Sequence, residues 1–410
     1  MKYPGRIGSA AALTATALAA VTVLAGPASA ASVGGASFGG ASHVVFVQTD
    51  NTAGNQVAAY HRAADGTLSF AGVYNTGGLG GQLTGSVTDH LASQGSLTYD
   101  SRHSLLYAVN AGSDTVTVFA AHGNRLFRRQ VISSGGRFPV SVAVHGNFVY
   151  VLNGLNGGSV RGYRVFAGRL FPIRGSKRRL HLDPAASPQF VNTPGQVAFS
   201  PDGSQLIVTT KANGNDVDVF GVRPGGTLTT SPVVNSEPGT VPFALTFDPA
   251  GDLVIAEAGP SALATFALHS DGTIVQIDAA DTGQSATCWV TPIGEQLFTS
   301  NTGSGNVSRF TSDAHGQLTL LGQTATDPGP STPAPRRTAG SCTCRPAASA
   351  AWMSSPSPAG RSPRLAASRC PARSAVRESP QPKPARRCWA GAARQVPAPV
   401  QMPASAARSE

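Results

Sequence analysis

Two short motifs in this 410-residue chain contain residue types that could do chemistry. The first, Gly35-Ala36-Ser37-Phe38-Gly39, fits the G-x-S-x-G pattern that presents a nucleophilic serine on a sharp strand-to-helix turn. Here the pattern lies in a linker of Gly, Ser and Ala, where no such turn is predicted. We therefore assign this serine no catalytic role.

The second motif is a group of cysteines towards the C-terminus. Cys342-x-Cys344 is followed by Cys370 and Cys388, whereas Cys288 stands alone in the rest of the chain. Clustered cysteines in an exported protein could form disulfides or bind zinc. This group lacks paired C-x-x-C spacing, and no predicted strand or helix holds it. We expect no metal site and no cofactor.

The first thirty residues have the composition of a secretory signal peptide. Lys2 and Arg6 precede an apolar run over residues 9–25, and Ala28-Ser29-Ala30 is a small-x-small cleavage site. The alternative, an uncleaved membrane anchor, is disfavoured by the short, Ala-rich run and the cleavage site. We expect a secreted, extracellular protein that begins with a flexible linker (31–42) and has no membrane contact after cleavage.

The formal charge of +10 is unevenly distributed along the chain. Residues 332–410 contain 13 Lys and Arg against 2 Asp and Glu, a net charge of +11, so that residues 1–331 carry a net charge of −1. A near-neutral body offers no basic patch of the kind that nucleic acid requires. We therefore expect no nucleic-acid partner.

The rest of the sequence consists mainly of one repeated unit. "QVAFSPDGSQLIVTTKANGNDVDVFGVRPGGTLT" (196–229) shows the unit most clearly: alternating apolar strands separated by Gly- and Asn-rich turns, which predict β-hairpins. The same unit recurs at 96–119, 141–165, 244–268 and 288–310, and in a shorter form at 43–60. Each copy contains one aromatic residue near its end: Tyr60, Phe119, Tyr163, Phe220, Phe266 and Phe310.

A repeat of about 45 residues with about four short strands is typical of a β-propeller blade. The predicted fold class is all-β, a propeller over residues 43–331 with six legible four-stranded blades. A β-sandwich is the alternative, but it does not explain a period held six times. The predicted blades are 43–80, 94–135, 137–180, 193–235, 241–282 and 285–328.

The repeat stops where a seventh aromatic is due, near residue 355. A shifted reading of the coding DNA restores it, because Met353 after Trp352 then becomes Asp and the flanking residues permit Val-Asp-x-Phe-x-Val, the pattern of Val217–Val222. Pro382-Lys383 permits a stop codon in the same frame. We interpret residues 332–410 as an out-of-frame, disordered basic tail in place of a seventh blade.

The body resembles the seven-bladed β-propeller lactonase family, which includes 6-phosphogluconolactonases and carboxymuconate-lactonizing enzymes. The resemblance is carried by the turn Ser200-Pro201-Asp202-Gly203, the Asn- and Gly-rich loops and the strand Val217-Asp218-Val219-Phe220. These residues look most similar to an exported actinobacterial branch of that family. Gly-His and Trp-Asp signatures of WD repeats are absent.

The resemblance implies that water opens a lactone ring, or that the reverse cyclisation occurs, without a metal. Such chemistry needs a base for water, donors for the carbonyl oxyanion and cations for an acidic substrate, at the mouth of the central channel. Lys211 and Glu257 follow the second strand of successive blades and form the expected central pair. The candidate catalytic residues are Lys211, Glu257 and His90, and the candidate substrate-binding residues are Arg137, Gln189, Asn192, Asn213, Glu237 and Asn301.

One departure from the family leaves other functions open. Cytoplasmic relatives tend to place histidines at the start of the second blade, where this chain has "HLASQGSL" (90–97) with His90 alone. A propeller is a scaffold for many functions. A non-catalytic extracellular binding propeller and a cell-envelope interaction protein are therefore the alternatives to a hydrolase. In each case we expect a monomer, and for the hydrolase a small lactone or sugar acid as ligand.

Overall fold

The computed structural model describes residues 43–326 and 350–352. It is all-β, with six antiparallel sheets that follow one another along the chain as the blades of a propeller. All six anchoring aromatics lie in equivalent strands, each opposite an aliphatic residue of the neighbouring strand. The predicted fold class is confirmed.

The strands of blades 1 to 3 come first. Blade 1 contains β1 (His43–Gln48), β2 (Gln56–Arg62) and β3 (Leu68–Asn75). Blade 2 contains β4 (Leu97–Asp100), β5 (Leu105–Asn110), β6 (Thr115–His122) and β7 (Arg125–Ser133). Blade 3 contains β8 (Pro139–His145), β9 (Phe148–Asn153), β10 (Ser159–Phe166), β11 (Arg169–Pro172) and β12 (Arg178–Arg179).

Blades 4 to 6 follow in the same manner. Blade 4 contains β13 (Gln196–Phe199), β14 (Gln205–Thr209), β15 (Asp216–Gly221) and β16 (Val233–Ser236). Blade 5 contains β17 (Pro242–Phe247), β18 (Leu253–Glu257), β19 (Ala262–Leu268) and β20 (Ile274–Asp281). Blade 6 contains β21 (Thr287–Ile293), β22 (Gln296–Asn301), β23 (Asn306–Ser312) and β24 (Leu318–Ala325).

Blade 1 takes its first strand from the C-terminal part of the chain. The strand β25 (Ala350–Trp352) pairs antiparallel with β1 at Val45–Val47. The prediction that residues 332–410 form a disordered tail is therefore wrong for these three residues, which are strand. The rest of that tail lies outside the described residues. The predicted signal peptide and linker also lie outside them.

Two short helices were not predicted. A single 3-10 turn, Ala111–Ser113, follows β5, and the four-residue helix α1 (Gln189–Asn192) interrupts the long crossover between blades 3 and 4. No helix among the described residues is long and apolar enough to cross a membrane.

The core lies between the blades. Apolar residues of the second and third strands point to both faces of the sheets of blades 2 to 5 and are buried against the neighbouring blades. Tyr107, Tyr150, Phe220 and Phe266 are fully buried there. In β22 of blade 6 only alternate residues are buried. The outer strands β3, β7, β20 and β24 are mostly exposed on both faces.

Antiparallel connectivity gives the ring two distinct faces. The turns between second and third strands and the blade-to-blade crossovers lie at one end of the sheets, which we call the crossover face. The turns between first and second and between third and fourth strands lie at the other end, which we call the hairpin face. Lys211, Glu257 and the other candidate residues belong to the crossover face.

Candidate functional site

A short segment, Ser93–Gly95, spans the centre of the molecule below the crossover face. The Gln94 side chain donates to the carbonyl of Val290 at 2.9 Å and accepts from its amide at 3.2 Å, so that blade 2 is joined to blade 6. The backbone amide of Gln94 donates to the carbonyl of Gly195, at the start of blade 4. The Trp289 indole donates to the Ser93 carbonyl at 2.9 Å. We call this segment the hub.

A cavity of about 540 Å³ lies between the innermost strands. Gln94, Gly95, Trp289 and Val290 line it at the hub, and His145, Ser200 and Pro201 line it at the hairpin face. The candidate residues of the crossover face do not line it. This cavity is therefore separate from the candidate residues, which the sequence led us to expect at the mouth of a central channel.

Lys211 is fully buried beside the hub. Its ammonium donates to the carbonyl oxygens of Ala92 at 2.7 Å and Phe190 at 2.6 Å, and to the Thr193 hydroxyl at 3.3 Å. It also lies 5.0 Å from the centre of the Phe243 ring. Burial lowers the pKa of Lys211 to about 7. All three donors of the ammonium are used inside the protein, so Lys211 ties the crossover before β4 to helix α1.

His90 lies next to this tie. Its Nδ1 atom is buried and has no hydrogen-bond partner among the described residues. The neighbouring Asp89 accepts from the amides of Leu91 and Ser93 at 3.0 Å each, and burial raises the pKa of its carboxyl. Asp89, like Cys288, was not singled out in the sequence. Burial raises the pKa of the Cys288 thiol to about 11, so this cysteine is a thiol at neutral pH.

Glu257 ends β18 and is 5% exposed. No described residue donates a hydrogen bond to its carboxyl group and no described cation pairs with it, but its oxygens are not among the fully buried atoms that lack a partner, so they remain open to water. Burial raises the pKa of Glu257 to about 7, and the charge of Glu237 contributes to that shift. Burial also raises the pKa of the half-buried Glu237. The backbone brings the two glutamates to the same turn region: the Thr240 hydroxyl donates to the Glu237 carbonyl, and the Thr240 carbonyl accepts from the amide of Gly259, two residues after Glu257. We call Glu237 and Glu257 the acidic pair.

The expected equivalence of Lys211 and Glu257 is wrong by one residue. Leu206 is opposite Phe220 in blade 4, and Leu253 is opposite Phe266 in blade 5. Counting four residues on from each leucine makes Thr210, and not Lys211, the counterpart of Glu257. Lys211 comes one residue later, in the left-handed backbone region (φ 56°), and its side chain takes a different direction.

The counterparts of Glu257 in the other blades cap the turn after the second strand. Asn110 donates to the hydroxyls of Thr115 and Thr117, at 3.0 and 2.9 Å. Asn301, a candidate substrate-binding residue, is 1% exposed, donates to Asn306 and Ser308, and accepts from Thr287. The remaining counterparts are Thr49, Asn153 and Thr210. The contacts of Asn301 are therefore those of a buried turn cap.

Glu257 lacks such partners for a local reason. Blade 5 has Ala262 and Ala264 where blade 2 has Thr115 and Thr117. Neither alanine can donate a side-chain hydrogen bond, so the carboxyl of Glu257 is buried without one. The sequence alone could have indicated this site, because blade 5 combines an acid at the capping position with alanines at both partner positions.

Three other candidates come together at a small cleft of the crossover face. Gln189, Asn192 and Asn213 line it with Asp183. Asn213 donates to the carbonyls of Asp183 and Asn192, at 2.8 and 3.0 Å, and Gln189 accepts from the amide of Thr84. Arg137 is separate from this group and pairs with Asp114 at 2.6 Å on blades 2 and 3.

Within the described residues, no group of three or more His, Cys, Asp or Glu side chains could hold a metal ion. The site that the geometry defines consists of the acidic pair on blade 5; the Lys211 amide donates to the carbonyl of Pro242, whose strand partner is Glu257, so the Lys211 tie lies beside it.

The described residues thus form six antiparallel blades of a β-propeller, with an acidic pair on the crossover face. No family model matches the chain, and no curated protein matches it. Among solved structures, a protein from Lactobacillus plantarum aligns with a TM-score of 0.54 at 20% identity, over 70% of this chain and 83% of that chain. Two proteins named as candidate 6-phosphogluconolactonases have the same fold. The Bacteroides fragilis protein aligns with a TM-score of 0.54 at 18% identity, over 70% of this chain and 82% of that chain. The Bacteroides uniformis protein aligns with a TM-score of 0.53 at 20% identity, over 70% of this chain and 83% of that chain.

Proposed function

We propose that this chain is an exported, lactonase-like propeller in which Glu257 acts as the general base for hydrolysis of a small lactone. The observation that carries the proposal is the largely buried carboxyl of Glu257, which has no donor from the protein where the other blades have a capping amide or hydroxyl, and whose oxygens remain open to water. A pKa of about 7 suits a base that works near neutral pH. The likeness in fold to candidate 6-phosphogluconolactonases supports the reaction class.

The proposed reaction is a hydrolysis without a cofactor. Ionised Glu257 takes a proton from water as the water oxygen bonds to the lactone carbonyl carbon. Collapse of the tetrahedral intermediate breaks the ring C–O bond, and protonated Glu257 returns the proton to the departing alkoxide. The product is the open-chain hydroxy acid, and Glu257 is ionised again.

The charges around Glu257 favour an uncharged substrate. The sequence led us to expect Lys211 and Arg137 as cations for an acidic substrate, but Lys211 is bonded to three internal acceptors and Arg137 pairs with Asp114. Glu237 adds a second carboxyl beside Glu257. Two acidic groups repel a phosphate or a free carboxylate. We therefore propose a neutral, hydroxylated lactone in preference to a phosphorylated one.

The test compares glucono-1,5-lactone with its 6-phosphate, using the purified full chain in a pH-stat. We expect turnover of the neutral lactone above the spontaneous rate, with kcat/KM rising through pH 7. The Glu257→Gln variant should lose about 10²- to 10⁴-fold in kcat/KM, the range of general-base catalysis. Glu295→Gln, an exposed change on blade 6, serves as the control. A rate equal to spontaneous hydrolysis would refute the proposal.

A second candidate function is non-catalytic binding at the same face. It is favoured by the observation that no described cation stands beside Glu257, whereas the sequence led us to expect a base and a cation together. In that case neutral polyols should raise the melting temperature of the wild type without turnover, and Glu257→Gln should abolish the shift.

Export remains part of the proposal and rests on residues 1–30. N-terminal sequencing of protein recovered from the culture medium should begin just after Ala30. Protein that stays with the cells and keeps Met1 would contradict export.

A further inference from the structure

Charge is segregated around the ring, although the body as a whole is close to neutral. Residues 115–182, which run from β6 to the end of blade 3, contain 11 Lys and Arg and no Asp or Glu. Residues 183–326, on blades 4 to 6, contain 3 Lys and Arg against 13 Asp and Glu. The sequence-based expectation of no basic patch rested on the average of these two regions. The molecule is strongly dipolar in the plane of its blades.

The basic region has a repeated motif at its rim. In blade 2, Arg125-Leu126-Phe127 begins the outer strand β7, and in blade 3, Arg169-Leu170-Phe171 begins the outer strand β11. Each leucine is buried, whereas each arginine and phenylalanine is exposed. At the same position blades 1, 4, 5 and 6 have Thr67, Thr227, Thr273 and Gln317 in place of the arginine.

The two motifs lie side by side and face the same end of the ring. Each follows the tight turn between a third and a fourth strand, so both lie at the hairpin face. Gln130 of β7 joins the blades through two hydrogen bonds to the backbone of Leu170, at 3.1 and 2.8 Å. The side chains form two clusters at this face. Arg125 and Phe127 lie beside the flank of blade 3 that faces blade 2, and Phe166, Arg169 and Phe171 lie on the flank that faces blade 4. We call the two clusters together the basic–aromatic patch.

The phenylalanine rings of the patch are largely exposed to solvent. Phe166 is 70% exposed, Phe127 52% and Phe171 48%, and Phe166 meets Phe171 edge-on at 6.3 Å. Arg169 is directly opposite Phe166 across the hairpin, so that cation and ring share one side of it. Exposed apolar rings beside cations at the tips of loops indicate contact with a partner.

We propose that the basic–aromatic patch docks the propeller onto a bilayer that contains anionic lipids, in place of the sequence-based expectation of no membrane contact after cleavage. The arginines would attract phosphate headgroups, and the phenylalanine rings would enter the boundary between headgroups and acyl chains. A soluble polyanion would use the arginines but leave the rings without an apolar partner. Docking through the edge of the hairpin face at blades 2 and 3 keeps the acidic hairpin turns of the other blades, such as those with Asp202 and Asp271, off the anionic surface. Glu257 lies on the opposite face of the ring, directed away from the membrane.

The test is co-sedimentation of the full chain with vesicles of phosphatidylcholine alone or mixed equally with phosphatidylglycerol. The 13 Lys and Arg of residues 332–410 are present in every variant and add a common background, so the comparison between variants decides. We expect Arg125→Gln with Arg169→Gln to weaken binding to the anionic vesicles by about 30-fold. Arg62→Gln with Arg223→Gln, which removes two charges from blades 1 and 4, is the matched control.

A second pair of variants isolates the aromatic contribution. Phe166→Ser should weaken vesicle binding several-fold, whereas Phe70→Ser, which removes a ring 63% exposed on blade 1, should leave it unchanged. Thermal unfolding checks that every variant is folded. Equal losses in patch and control variants, or no binding of the wild type, would overturn the proposal. So would inorganic polyphosphate binding that depends on the arginines and not on Phe166, because the partner would then be a soluble polyanion.

Discussion

Glu257 occupies a position that the other five blades fill with an uncharged amide or hydroxyl. In those blades the side chain caps the turn after the second strand, as Asn110 does with Thr115 and Thr117. In blade 5 the capping partners are alanines, so the carboxyl carries a desolvation cost with no compensating hydrogen bond. A residue that costs stability where its counterparts contribute to it is a candidate for function.

That cost should be visible in the pH dependence of stability. The folded-state pKa of Glu257, about 7, exceeds the ordinary value of 4.5, so the folded state binds the proton more tightly. Its contribution to the free energy of unfolding therefore falls as pH rises from about 4.5 through 7, by up to about 3 kcal/mol. Glu257→Gln cannot ionise, so its stability relative to the wild type should increase by about that amount between pH 4 and pH 8.

Urea unfolding at the two pH values measures the effect. Glu295→Gln, an exposed glutamate of blade 6, is the control and should follow the wild type at both pH values. The same difference between Glu257→Gln and wild type at pH 4 and pH 8 would show that the carboxyl is not desolvated.

At the scale of strands, the repeat could be recognised from the sequence because each blade buries one aromatic residue against the same position of the neighbouring strand. Tyr60, Phe119 and Phe310 could therefore be aligned without a structure. Loop residues could not, because the turn after β14 spans six residues (210–215) and the turn after β18 spans four (258–261). Lys211 was consequently placed one residue out of register, and its tie to Ala92, 119 residues away, had no signal in the sequence.

The strand register of blade 5 also predicts a substitution that should lower the pKa of Glu257. Ala264 corresponds to Thr117 of blade 2 and Ser308 of blade 6, whose hydroxyls contact the capping asparagines. In Ala264→Ser the new hydroxyl should donate to the Glu257 carboxylate and lower its pKa by about one unit. We expect the midpoint of the pH–rate profile, and the midpoint of the pH dependence of unfolding, to move to lower pH by that amount.

The matched control is Ala58→Ser, the same position in blade 1, where the capping residue is Thr49. It should leave both midpoints unchanged. If Ala264→Ser moves neither midpoint while remaining folded, then the side chain of Glu257 does not occupy the position of the capping asparagines and the site has been misplaced.

At the scale of the whole molecule, the hub joins blade 2 directly to blades 4 and 6 across the centre. The number of described blades followed from the sequence period. The hub did not, because Ser93–Gly95 is a short polar segment whose partners lie on distant blades. The segregation of charge was hidden for a different reason: opposite charges on separate blades cancel in the total.

Closure of the ring leads to the last prediction, which concerns the reading frame after residue 331. The inner edge of β1 is paired at Val45–Val47 by the three residues of β25. In the shifted frame the DNA permits a full blade with the repeat pattern, a final Gly-Ile-Ala-Ala that could serve as a closing strand, and a stop near position 382. A complete blade would cover the flanking apolar faces and pair the sheet edges, which otherwise favour aggregation.

We therefore expect that resequencing the DNA around codons 325 to 345 reveals a shift, and that the corrected gene yields a soluble monomer ending near position 382. The chain as written should express poorly by comparison. Expression of both genes side by side, with size-exclusion chromatography and thermal unfolding, measures the difference. Equal solubility and equal melting temperature would show that residues 332–410, including the strand at Ala350–Trp352, are a genuine part of the fold, and the out-of-frame interpretation would be wrong.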